Sequence, residues 1–429
     1  MLRRRALLAF SLLAAAPSAA PAQTAPVQQT DEGRLAVFDF VWSEIRDKYY
    51  DPALNGVDWD AVRSRYRPLV ATAPTDAAFH TLLRRMTGEL RDAHTRVMTP
   101  EQALARRRNE SASAGVILYE VEGRPVVFHV LPGSPAAEAG LTPGMAVLAV
   151  GGVPIAEALA RARAEVGPSS SERAGAVLAY LRLISGPAGE PLRLELADAQ
   201  GVRRSVALPR VRRETTPRFE ARRLPAGALY VRLDRFAAPV ARRFRAALRA
   251  HATAPGLILD LRSNAGGDGR EGMRFVAPLL DRPTLIARLR TRTGRSPSAL
   301  LGLVRLPLML TAGEAGEQLF AGPVVILTNA GTGSTSEVIA AALQERGRAR
   351  IVGARSCGCA LGVLRHRRLA TGGTLAISEV GLVTGMGRRV EGEGVVPDVA
   401  VDLTLVDLQR GRDPMLDRAV AELQRRPRQ

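Results

Sequence analysis

Lysine is almost missing from this sequence. Of its 60 basic residues only Lys48 is a lysine, and all others are arginine. Chemistry that needs an amine of tunable pKa is therefore confined to one position, because a guanidinium does not act as a base. Aromatic residues make up only 4% of the chain. With so few stacking groups, a formal charge of +18 spread along the chain, and no recognition motif, nucleic-acid binding is excluded as a function class. There are two cysteines, Cys357 and Cys359, one residue apart. Two thiols without neighbouring histidines are too few for zinc, so no metal and no cofactor are expected. A ring closed across one residue is strained, yet oxidation, a redox role or an alternative nucleophile stay open. Past the N-terminus no apolar run reaches the length of a membrane span, so the mature chain is expected without one.

The 429 residues are 46% apolar, enough for two or three domains with cores of their own. The first 22 residues have a basic start (Arg3 to Arg5), an apolar stretch and an Ala20-Pro21-Ala22 cleavage pattern. They read as a signal peptide, which places the mature protein in the periplasm or outside the cell. Residues 31–98 read as helices, with Phe38, Val41, Trp42 and Ile45 on one face and Asp76 as an N-cap. His94 falls just past the last of these, at the entry to an extended segment. Residues 98–112 read as an exposed linker. Residues 281–322 form a long variable stretch, either a lid or an insertion. Further on, strands alternate with helical stretches, which argues for an α/β sheet.

The run Val324-Val325-Ile326-Leu327 is apolar and β-branched, as in a buried parallel strand. A glycine-rich turn, 329–333, leads to a helix beginning near Ser334 and stopped by Gly347. A serine at that place meets the unpaired amides and positive dipole end of a helix, which favour an alkoxide or oxyanion. The same Ser334-Thr335-Ser336-Glu337 is also a capping box, a feature of ordinary helices. Local sequence leaves both readings open.

Residues 115–152 carry SPAAEAGL and GMAVLAVGG in the order and spacing of a PDZ domain, which they resemble. The resemblance implies a module over 112–210 that adds a peptide strand to its sheet edge, with Gly115, Val116, Ile117 and Leu118 as the peptide-binding segment. The form of 111–115 departs from the family's carboxylate loop. The segments DLRSNAGG (260–267), STSE (334–337), GRARIVG (347–353) and EGVVPD (393–398) resemble the C-terminal processing (tail-specific) serine peptidases and their tricorn-core relatives. That resemblance implies an α/β (α+β) fold: a helical leader, the PDZ-like β-rich module, and a ClpP/crotonase-like core over 211–429 that includes parts of the leader. It implies polypeptide substrates, unfolded or with free C-termini. It makes Ser334 the nucleophile and the backbone of Gly266, Gly267 and Thr335 the oxyanion hole.

One departure matters most. The lysine of the processing peptidases would stand at position 359, which is Cys359 here, and the glutamine four residues later is Val363. The tricorn-like branch instead implies His94 as base with Glu391 orienting it, and His366 is the fallback base. The competing expectation is a pseudopeptidase that binds peptides without cleaving them.

Overall fold

Three apolar textures in the sequence become the three larger sheets of the fold. The computed structural model describes residues 30–296, 298–299, 304–305 and 308–425; the expected export segment, 1–22, lies outside them. Helices Asp31–Lys48, Trp59–Ala71 and Asp76–Gly88 bury Phe38, Val41, Trp42 and Ile45 as one face. Trp42 and Trp59 tie the first two together, each indole N–H donating to the other's carbonyl at 2.8 and 3.0 Å. The third helix is capped by Thr75, whose hydroxyl takes the Ala78 amide at 3.1 Å. Asp76 therefore sits in the first turn, where its charge suits the helix dipole, and is not the cap.

Residues 98–112 are not a plain exposed linker. Thr99 and Gln102 form a reciprocal capping box, Pro100 occupies the first helical position, and helix Pro100–Arg107 follows with Ala103 buried. The strand before it, Arg96–Met98, carries the leader into the core by pairing antiparallel with Thr374–Thr384.

Strands Val116–Val121, Arg124–Val130, Ala146–Val150, Pro191–Ala197 and Arg203–Pro209 make a second sheet, with Val116–Val121 at its edge. Val116 and Leu118 are buried in its core beside Tyr180 of helix Glu172–Ile184.

The third sheet explains itself by alternation. Leu257 and Leu259 pack on one face with Phe244, Val276 and Ile339, while Ile258 packs on the other with Met415 and Ala419. Strands covered on both faces read as near-continuous apolar runs, as 257–259 and 324–327 do within Leu257–Asp260 and Val324–Thr328. They lie side by side, parallel, with Leu259 opposite Ile326. The full order is Phe219–Arg223, Leu229–Leu233, Leu257–Asp260, Val324–Thr328, Ala349–Gly353, Val399–Ala400. Within 281–322, strands Thr284–Thr291 and Met309–Ala312 belong to the five-stranded sheet formed around Thr374–Thr384. Those parts are an insertion built into the core.

Candidate active site

Because the two central strands are parallel neighbours, the loops leaving their C-terminal ends meet. Asp260 anchors the first loop: its buried carboxylate accepts from Tyr230 at 2.7 Å and from Arg262 at 2.6 Å. Arg262 continues to Asp413 at 2.7 Å. The loops are then joined directly. The Thr332 hydroxyl donates to the Leu261 carbonyl at 2.8 Å, and the Gly333 amide to the Asn264 carbonyl at 2.9 Å. Gly266 has φ +95°, and a Cβ there would lie 2.6 Å from the Ser334 Cβ and 2.9 Å from the Thr335 nitrogen. Only glycine permits that approach.

Ser334 itself has φ 55° and ψ −124°, a conformation that costs an L-residue about 1–3 kcal/mol and needs surroundings that enforce it. Its amide is shared between the Cys359 carbonyl (2.9 Å) and the Glu337 carboxylate (3.2 Å), and its carbonyl accepts from Glu337 and Val338. Ser334 and Glu337 stand in capping-box arrangement, but the Ser334 hydroxyl makes no side-chain cap hydrogen bond. The Glu337 amide is satisfied by the Ser334 carbonyl at 2.9 Å. The hydroxyl is left for the cavity.

Glu337 is buried and organises the wall opposite. It accepts from the Gly358 amide at 2.6 Å, the Cys359 amide at 3.0 Å and the Ser356 hydroxyl. Burial raises its pKa against the pull of these bonds. Cys357 and Cys359 are joined in a disulfide, so the position expected of a lysine is a half-cystine. Glu337, Cys357 and Cys359 place ligand atoms within 4.8 Å of one another. With the sulfurs bonded and the carboxylate fully engaged, they do not form a metal site in this state.

Of the amides expected to face an oxyanion, that of Gly266 is taken by the Asn264 side chain at 2.9 Å. This corrects the expected set. The amides of Gly267 and Thr335 have no partner among the described residues, and the Thr335 hydroxyl donates to the Gly267 carbonyl at 3.0 Å.

His94 and Ser334 line one cavity of about 1000 Å³, together with His366. Asp92 turns the chain at His94, accepting from the His94 amide at 2.7 Å and from the Thr95 amide at 3.2 Å. The His94 Nδ1 lies 3.9 Å from the Asp92 carboxylate and is buried without a hydrogen bond. Burial lowers the His94 pKa, opposed by Asp92 and assisted by Arg96. His366 is pushed down to about 4 by burial and by Arg106 and Arg96, which makes it a weak base.

Glu391 was expected to orient His94 directly, and it does not touch it. Its carboxylate accepts from the Ala360 amide at 2.6 Å. Burial raises it to about 7, with the Ser170 hydroxyl pulling down and the Asp92 charge pushing up. Ser170 links the two segments, because its Oγ also accepts from the Ala93 amide at 3.0 Å. Its neighbour Ser171 donates to the Cys357 carbonyl, and Arg173 donates to the Ser356 carbonyl at 2.7 Å and the Glu393 carbonyl at 2.8 Å. The start of helix Glu172–Ile184 thus holds two segments of the cavity wall, at Ala93 and at Cys357, together with the 391–393 turn behind them. Sequence reasoning missed Ser170, Ser171, Arg173 and Asp92. A serine run ahead of a helix signals a cap, and nothing local signals partners some 190 residues away.

A model described as peptidase family S41 matches residues 227–401, and one described as the tricorn protease C1 domain matches 31–88. Two tricorn protease homologs of Streptomyces coelicolor are 29% and 28% identical over 88% and 90% of this chain, which spans only 31% and 34% of their length. A carboxyl-terminal-processing protease of Synechocystis sp. is 28% identical over 96% of this chain and 91% of its own. The solved photosystem II D1 C-terminal processing protease matches 86% of this chain and 93% of its own at 25% identity, TM-score 0.57. Mature CPAF shares the fold over 92% of this chain and 98% of its own, TM-score 0.69 at 15% identity.

Proposed function

We propose, from the match of residues 227–401 to peptidase family S41 and of residues 31–88 to the tricorn protease C1 domain, that the chain is an exported serine endopeptidase of that kind, acting on unstructured or C-terminal parts of polypeptides. The observation that carries this reading is the Ser334 hydroxyl. It is held in a strained turn, unbonded, beside two free amides and in one cavity with His94. In this reading residues 31–98 are the helical leader, 112–210 a PDZ-like peptide-binding module and 211–429 the catalytic core. The edge strand Val116–Val121 offers its outer side for strand addition. The disulfide fits an oxidising compartment, in line with export.

Ser334 attacks the scissile carbonyl as His94 takes its proton. Lowered by burial, His94 is neutral at pH 7 and free to accept it. The oxyanion settles on the Gly267 and Thr335 amides, each contributing roughly 3 kcal/mol. His94 returns the proton to the departing amine, and water then releases the acyl group by the reverse sequence. Glu391 and Ser170 position the His94 segment without meeting the substrate.

A fluorophosphonate should label Ser334, and both Ser334→Ala and His94→Ala should abolish labelling. Labelling that survives both substitutions removes the assignment. The unpartnered His94 Nδ1 favours a second reading, a peptide-binding pseudopeptidase. Such a protein would bind C-terminal peptides, leave them intact and resist the reagent.

A further inference from the structure

Two guanidinium groups line the cavity that holds Ser334 without an ion pair among the described residues. Arg96 opens the strand Arg96–Met98, and Arg106 lies in the last turn of helix Pro100–Arg107. Neither side chain makes an ion pair or hydrogen bond with another described residue, and both line the cavity that holds Ser334. The register explains why they converge with His366. Arg96 and His366 both pair with Ala376, from opposite edges of strand Thr374–Thr384. The three side chains therefore stand in one row on one face of the sheet, and the small Ala376 leaves the space between open.

The electrostatics agree with this convergence. The Arg96 side chain is exposed at the cavity rim, where Arg106 weakens its hold on its proton and Asp92 opposes that, and both arginines depress His366. On another wall Arg235 has a buried Nε with no partner. Two carboxylates stand near, and both are engaged. Asp92 binds the His94 and Thr95 amides, and Asp268 caps helix Gly269–Val276 through the Arg270 and Glu271 amides. Two exposed positive groups on the rim of one cavity, with only the engaged Asp92 acting against them, offer a place for an anion from outside.

We propose that Arg96 and Arg106 form a carboxylate-binding subsite for the substrate chain, so that this peptidase selects acidic groups near the bond it cuts. The inference rests on the peptidase reading of the same cavity. Arg96 follows His94 by two residues, just past the turn that Asp92 makes, and both line the same cavity. The recognised carboxylate should thus lie roughly two residues from the scissile bond of an extended substrate. The apolar wall formed by Val177, Leu178, Leu289, Leu310 and Leu382 would take the side chains between.

The test uses the full-length protein and internally quenched peptides that differ in one group: Glu or Gln about two residues either side of the cut, each with a C-terminal acid or amide. A charge-assisted contact should raise kcat/KM about tenfold over the neutral match. The preference should shrink in about 0.5 M NaCl and invert toward lysine peptides in Arg106→Glu. Selection that follows Glu in the amidated peptides assigns the subsite to a side chain. Selection that follows the free acid in the Gln peptides assigns it to a chain end. Equal rates for all four peptides, or a preference unchanged in both Arg106→Glu and Arg96→Gln, overturns the subsite. Fluorophosphonate labelling of the unaltered protein reports separately on the peptidase reading. If labelling fails, fluorescence anisotropy with the same peptides still decides whether acidic ones bind more tightly.

Discussion

Two serines open helices in this chain, and they do opposite things. Ser171 precedes Glu172–Ile184 in an extended conformation (φ −153°, ψ 165°), and its hydroxyl caps the Ala174 amide at 3.0 Å. Ser334 precedes Thr335–Glu345 at φ 55°, and its hydroxyl caps nothing. The difference comes from the neighbours. Ser171 needs only its own helix to satisfy the first turn. Ser334 is held from both sides, by Gly266 against its Cβ and by Glu337 and the Cys359 carbonyl on its amide. A cap becomes a candidate nucleophile when tertiary structure takes over the backbone that the hydroxyl would otherwise serve.

The most severe way to break that contrast is to fill the space behind Ser334. Gly266→Ala places a methyl 2.6 Å from the Ser334 Cβ at a backbone φ of +95°. The turn must move, and a shift of about 1 Å in reacting groups costs on the order of a hundredfold. The fluorophosphonate labelling rate should fall by about that factor, with a lower melting temperature from overpacking. Labelling at the native rate would show that the close approach is incidental.

A smaller effect sharpens the comparison on the stability side. Ser171→Ala removes a working cap together with the bond to the Cys357 carbonyl, and should cost about 1–2 kcal/mol in chemical denaturation. Ser334→Ala removes a hydroxyl that caps nothing and should change stability by less than about 0.5 kcal/mol. If Ser334→Ala proves the more destabilising, its hydroxyl has a structural partner and the contrast collapses.

Much of this was legible in the sequence, and the reason is locality. The strand Val324–Thr328, the glycine turn and the serine helix are specified by contiguous residues, as is the hairpin that pairs Gly362–Arg368 with Thr374–Thr384. The helix Pro100–Arg107 is announced by Thr99, Pro100 and Gln102, while the arginines that close it carry the composition of an exposed stretch. The site was half legible. Ser334, Gly267, Thr335 and His94 share a cavity as their motifs implied. The Gly266 amide, bound by Asn264, and the Ser170 bridge depend on where loops far apart in sequence come to rest. No spacing rule reports that.

The finest test of the comparison lies one residue before Ser171. Ser170 receives the Ala93 amide and supports the Glu391 anion, whose pKa burial has raised to about 7. Removing the hydroxyl in Ser170→Ala withdraws a stabiliser of the charged form, so the Glu391 pKa must rise further. Its folded value already exceeds that of the unfolded chain. Its share of stability is therefore complete at low pH and is lost as pH climbs through about 7. The melting-temperature deficit of Ser170→Ala against the native chain should accordingly be larger at about pH 8 than at about pH 5.5, where Glu391 is protonated in both. In labelling, the limb that follows Glu391 ionisation should shift to higher pH, while the limb set by His94 stays below its ordinary value. Ser170→Thr, which keeps the hydroxyl, should restore both profiles. A deficit of equal size at both pH values would reduce Ser170 to a plain tether, and the module would then carry no part of the site's proton balance.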